Sequence, residues 1–109
     1  MTAETAVVLP VLLLVLACAV AAVTVVGAQL RCVDAAREGA RAAARGETDA
    51  VVAELAGRVA PAGAVTAVRP DGDRVRVTVS AEVAPLGPVP LRTRVSASAV
   101  ALLESSAAP

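Results

Sequence analysis

Histidine, lysine, phenylalanine, tryptophan and tyrosine are all missing from this 109-residue chain. Without His or Lys there is no ordinary proton shuttle, no Schiff-base amine and no phosphate-loop lysine, which removes most enzyme classes. Without aromatic rings an ordinary globular core lacks its bulkiest members. Charge of one sign is not in surplus either: ten Arg balance ten acids, so the basic surface that displaces counterions from nucleic acid is absent, and nucleic acid is not an expected partner. The two cysteines have no metal-ligand spacing, and no cofactor or metal is expected. Hydrophobic side chains, by contrast, make up 57% of the chain.

Much of that oil lies in one run. Thr5 to Leu30 contains no charged residue. At ~1.5 Å per helical residue it reaches about 39 Å, against ~30 Å of bilayer hydrocarbon. The stretch predicts a transmembrane helix, bent at Pro10, where the missing N–H and the ring disturb the hydrogen-bond ladder. About 80 residues then remain, few for a self-sufficient soluble core, so stability is expected to be helped from outside. Glu4 at the lip of the span has two readings. It favours the positive end of the helix dipole, with Thr2 as cap, or it pairs with a group such as the amino terminus of an adjacent subunit.

Val15-Leu16-Ala17-Cys18 loosely resembles a lipoprotein cleavage box, but no basic residues precede the oil, Leu16 is bulky and the apolar run continues past Cys18, so an anchor is expected rather than a cleaved signal. Arg31, Arg37, Arg41 and Arg45 follow the span, which by the positive-inside bias alone places the C-terminal part in the cytoplasm. The alternative is a longer, basic N-terminus or a removed leader.

Beyond Leu30 the same helix is expected to continue to Arg45 and stop at Gly46, giving a rod of about 40 residues. Ala28, Cys32, Ala36, Ala40 and Ala44 form a small-residue stripe on which another helix can pack closely. Arg37, Arg41 and Arg45 form a second stripe, read as a solvated face or as a contact to anionic headgroups or a partner's acids. Cys18 and Cys32 lie roughly 21 Å apart on one helix and cannot pair within a chain. Cys18 reads as a small apolar residue in lipid, and Cys32 can link two copies in an oxidising compartment.

Residues 47–60 predict a second helix capped by Thr48 or Asp49 and stopped by Pro61 and Gly63. The period then becomes two. Residues 64–69, 74–83 and 91–100 read as three antiparallel strands, the first two joined by the turn Pro70-Asp71-Gly72-Asp73. Their Val face is expected beneath the second helix. Asp71 and Asp73 lack the ligand count of a calcium loop and read as turn residues. Strand hydroxyls have no base beside them, so no catalytic residue is assigned. The fold class is α+β, pilin-like, with residues 1–46 as the anchoring helix and its continuation, 47–104 as a small α+β domain and 105–109 as a flexible tail.

The opening Thr2-Ala3-Glu4-Thr5-Ala6-Val7-Val8-Leu9-Pro10-Val11-Leu12-Leu13-Leu14, followed by Val33-Asp34-Ala35-Ala36-Arg37-Glu38-Gly39-Ala40-Arg41-Ala42-Ala43-Ala44-Arg45-Gly46, resembles the TadE-like minor pilins of tight-adherence (Flp-type) pilus systems. The Ala, Val and Arg bias without Lys looks like a high-GC, actinobacterial version. The resemblance implies a single-pass membrane protein, not an enzyme, whose leader a prepilin peptidase removes. Its C-terminal domain is then held outside the cytoplasm to support pilus assembly with other pilin and Tad subunits and with membrane lipid. It implies that Glu4 serves peptidase recognition or subunit registration and that Pro10 bends the helix. In the family that glutamate is fifth after a cleavage glycine. Here it is fourth from Met1 with no glycine before it, as expected if the start lies one residue inside the mature chain. The rival reading is a membrane-anchored or lipoprotein binding or adhesion module whose exposed sheet does the work.

Overall fold

The structure, a computed structural model, describes residues 2–103. Five elements follow one another: α1 (Ala3–Ala44), α2 (Asp49–Val59), β1 (Val65–Asp71), β2 (Arg74–Val83) and β3 (Thr93–Leu102). This is the α+β arrangement that the periodicity implies, a long apolar helix, a short helix and an antiparallel sheet. The molecule measures 80 × 19 × 18 Å. The tail expected at 105–109 lies outside the described residues.

Helix α1 has 42 residues and runs without interruption through Pro10. Its C-terminus closes as a Schellman motif. The Gly46 N–H donates to the Ala43 carbonyl at 3.0 Å and the Glu47 N–H to the Ala42 carbonyl at 3.2 Å. Gly46 supplies the required left-handed backbone at φ +84°. The N-terminus differs from expectation: Thr2 holds the cap position, but its side chain does not cap the backbone and instead meets the Thr5 hydroxyl at 3.3 Å. Helix α2 is capped as its sequence suggests, the Thr48 hydroxyl accepting from the Val51 N–H at 3.3 Å.

The sheet has the order β1-β2-β3, both pairs antiparallel. Asp71 faces Arg74 across the two-residue turn Gly72-Asp73. Gly72 alone has positive φ there, +66°, as a type II′ hairpin turn demands. Along β2, Val75, Val77, Val79 and Ala81 are buried, while the alternate residues Arg74, Arg76, Thr78, Ser80 and Glu82 are exposed or half-buried.

What covers the buried face departs from the sequence reading. The C-terminal half of α1, not α2, lies over β2 and β3, and α2 packs beside α1 and touches β1. Geometry explains this. Three strands at ~4.8 Å spacing are roughly 14 Å wide, more than one helix of about 10 Å can roof. Two helices side by side can. The face that α1 turns inward is Ala28, Cys32, Ala35, Ala36, Gly39, Ala40, Ala42 and Ala43. Such small side chains let backbone approach sheet closely, and a Cβ added to Gly39 would sit 2.8 Å from Val77 Cγ1 and 3.4 Å from Val52 Cγ1. The largest fully buried side chains are Val52, Val77, Val79 and Cys32, so the core works without aromatics by being thin.

Candidate functional site

The N-terminal half of α1 is bare. Val7, Val8, Leu9, Leu12, Leu13, Leu14, Leu16 and Val20 are each 49–65% exposed, as is expected of side chains that only a neighbouring apolar phase would cover. By length and composition α1 can cross a membrane. Glu4 sits in its first turn, near the positive end of the helix dipole, and Pro10 two turns further in.

From Ala28 onward the helix changes partners. Of the small stripe, Ala28, Cys32, Ala36 and Ala40 are buried within the chain's own core and Ala44 is half-buried. The opposite stripe, Arg37, Arg41 and Arg45, is exposed, with Arg41 3.7 Å from Glu38. Gln29 marks the change. Its side-chain amide donates to the Ser96 carbonyl of β3 at 2.8 Å, tying the top of the apolar run to the sheet. The sequence reading passed over this residue, although a lone amide at the end of an uncharged run is a signal that something polar lies nearby.

Neither cysteine is bonded. Cys18 is exposed on the bare helix, and Cys32 is fully buried, so a bond from Cys32 to a second copy requires opening the core. The expectation that it can link copies is corrected by this burial, which also pushes its thiol pKa up by desolvation.

The sheet's outer face carries paired hydroxyls and charges. Thr78 and Ser98 share a hydrogen bond at 2.9 Å, Arg94 reaches the Ser80 hydroxyl at 3.5 Å, and Arg92 lies 3.5 Å from Glu82. Glu82, Arg92 and Arg94 border an open depression with Ala62, Gly63 and Val65. Among the described residues there is no group of three or more His, Cys, Asp or Glu positioned for a metal, and no buried polar side chain lacking a partner. Asp71 and Asp73 flank the hairpin glycine, as turn residues do.

What this arrangement offers is a bare apolar rod that widens into a small polar-faced head. Comparison with known proteins gives it a context. Residues 1–41 match the model of the TadE-like protein family, to which the N-terminal segment is therefore similar. The chain is also 45% identical over 62 residues to a protein of Mycobacterium tuberculosis (strain ATCC 25618 / H37Rv) named apoptosis inhibitor Rv3655c. That alignment covers 57% of this chain and 49% of the relative, so the chain spans about half the relative's length. No solved structure matches the chain.

Proposed function

We propose that the chain is a structural, non-catalytic subunit of a tight-adherence pilus system, a TadE-like minor pilin or pseudopilin. Its bare helix anchors it in the cell membrane as a single pass, and its head is held on the extracytoplasmic side. The observation that carries the reading is an overlap: the TadE-like match, residues 1–41, covers the whole bare rod and the stripe from Ala28 to Ala40 on which the head is built. The proposed partners are other pilin and Tad assembly subunits, a prepilin peptidase and membrane lipid. Glu4 is assigned to peptidase recognition or subunit registration, because a carboxylate at the edge of an uncharged span is costly unless it meets a partner. Pro10 is assigned to bending the span. The small stripe acts inside the subunit, seating the head on its own helix.

The test is Glu4→Ala in the native host. Membrane insertion is expected to persist while leader removal or pilus yield falls. Unchanged processing and pilus yield remove the special role of Glu4. Outward orientation is tested separately with Ser96→Cys, whose side chain is exposed on the head. A membrane-impermeant maleimide added to whole cells is expected to label it, whereas labelling only after the cells are opened refutes the orientation.

A further inference from the structure

The two ends of the head differ in chemistry. At the far end, the connections after α1 and between β1 and β2 carry Arg45, Glu47, Thr48 and Asp73, with Asp71 and Arg74 ending the strands beside them. At the near end, the connection Ala60-Pro61-Ala62-Gly63-Ala64 and the longer Ala84-Pro85-Leu86-Gly87-Pro88-Val89-Pro90-Leu91-Arg92 carry a single polar side chain, that of Arg92, which lies 3.5 Å from Glu82. Surface connections are ordinarily polar, so thirteen apolar residues among the fourteen of these two connections are an anomaly that calls for a nonaqueous neighbour. Val89 is 42% and Leu91 58% exposed, so the head itself does not cover them.

Position supplies the neighbour. β2 runs antiparallel to α1, since Gly39 lies against Val77 while Val23, Gly27 and Arg31 share a cleft with Ala62, Val83 and Ala84. The loop that leaves β2 after Val83 therefore descends toward the bare half of the helix. From Glu4 to Val23 and Thr24 the helix climbs roughly 30 Å at ~1.5 Å per residue, one hydrocarbon thickness. With Glu4 at one interface, the base of the head arrives at the other. Arg31 lies a further two turns up, within reach of headgroup phosphates by its long stem.

We infer that the head does not stand off the membrane on a stalk but is seated in it. The loop 84–91 dips its Leu and Val side chains into the interface of the same bilayer that α1 crosses. Its three prolines lower the entropy lost on fixing it there, and one anchor plus one shallow foot restrict the tilt and rotation of the head. The inference rests on the anchoring reading above and adds a second membrane contact to it.

The absence of native aromatics makes the test clean, because a single introduced tryptophan is the only fluorophore of its kind. The full chain is reconstituted as Val89→Trp, Leu91→Trp, Glu47→Trp and Leu13→Trp in phosphatidylcholine vesicles with or without lipid brominated at shallow acyl carbons, and, for Leu13→Trp, also at deep ones. Emission from both loop variants is expected to be blue-shifted and quenched about twofold or more by the shallow label, as for side chains held at the headgroup–acyl boundary. Glu47→Trp at the far end is expected to be unaffected. If both loop variants behave like Glu47→Trp while deep label quenches Leu13→Trp, the seat is refuted and the anchor stands. If Leu13→Trp is itself unquenched, the anchor falls and the seat with it.

Discussion

The two halves of α1 are one helix with opposite rules. Below Ala28 its Leu and Val side chains, Val25 apart, face outward with nothing from the chain covering them, while above it only Ala, Gly and Cys are buried and Arg points away. The largest hydrophobes of α1 are thus outside and the smallest inside. Size follows the neighbour: a fluid apolar phase accepts any side chain and rewards area, whereas a sheet approached at close range accepts only what fits. Small residues on the lower half have no such duty, as Gly27 shows, with nothing within 4 Å of an added Cβ.

Gly27 and Gly39 give the sharpest way to break that comparison. A valine at Gly39 must push into Val77 and Val52, whose Cγ1 atoms lie 2.8 and 3.4 Å from the first added carbon. Overpacking of this kind costs about 1–3 kcal/mol, and valine regains only a few tenths through helix propensity. Gly39→Val is expected to lower the thermal midpoint of the head by about 10 °C or more, followed by circular dichroism in detergent. Gly27→Val is expected to leave it unchanged. Equal losses in the two variants would mean that the halves do not differ in packing as described.

A smaller effect is expected at the seam. Gln29→Leu removes the hydrogen bond to the Ser96 carbonyl and extends the unbroken apolar run from Ala28 to Leu30. The loss is about 1 kcal/mol, or roughly 5 °C in the same melt. If the midpoint does not move, Gln29 is merely passing the sheet and does not fasten it.

Where the sequence was legible, a physical period made it so. The Val alternation in β2 places its ends at Arg74 and Val83 to the residue. The neighbours were read with slipped ends because their limits are set by partners. β3 begins at Thr93, opposite the last residue of β2, which leaves Leu91 and Arg92 without a ladder, and β1 continues through Pro70 because an edge strand can spare that N–H. The roof over the sheet was misread for a different reason. Alanine surrounds the upper half of α1 on most sides, so no contrast between faces announces which one is buried, and the short helix with its clearer stripe attracted the assignment. The apolar near-end loops were present in the sequence as a Pro-rich linker, but only the antiparallel run of β2 against α1 brings them level with the top of the span. Glu4 and Pro10 sit on bare helix, so their roles rest on chemistry and on family likeness and not on any contact within the chain.

The least effect, and the cleanest, belongs to Cys32. Its thiol is buried among alanines and its pKa is raised from the ordinary value of 9.0 by desolvation. The folded chain therefore holds this proton more tightly than the unfolded chain. Below the unfolded pKa both states keep it and stability is full. As pH climbs through that value toward the folded one, only the unfolded chain ionises, and stability falls. With no Lys or Tyr in the chain, Cys32 is the buried group whose ionisation can act in this alkaline window. A modest drop in the melting midpoint of the head above pH ~9 is expected, removed by Cys32→Ala and untouched by Cys18→Ala. A drop that survives Cys32→Ala would place the alkaline sensitivity outside the seam between helix and sheet, and would remove the thiol from the account of why the upper half of α1 is built from small, uncharged groups.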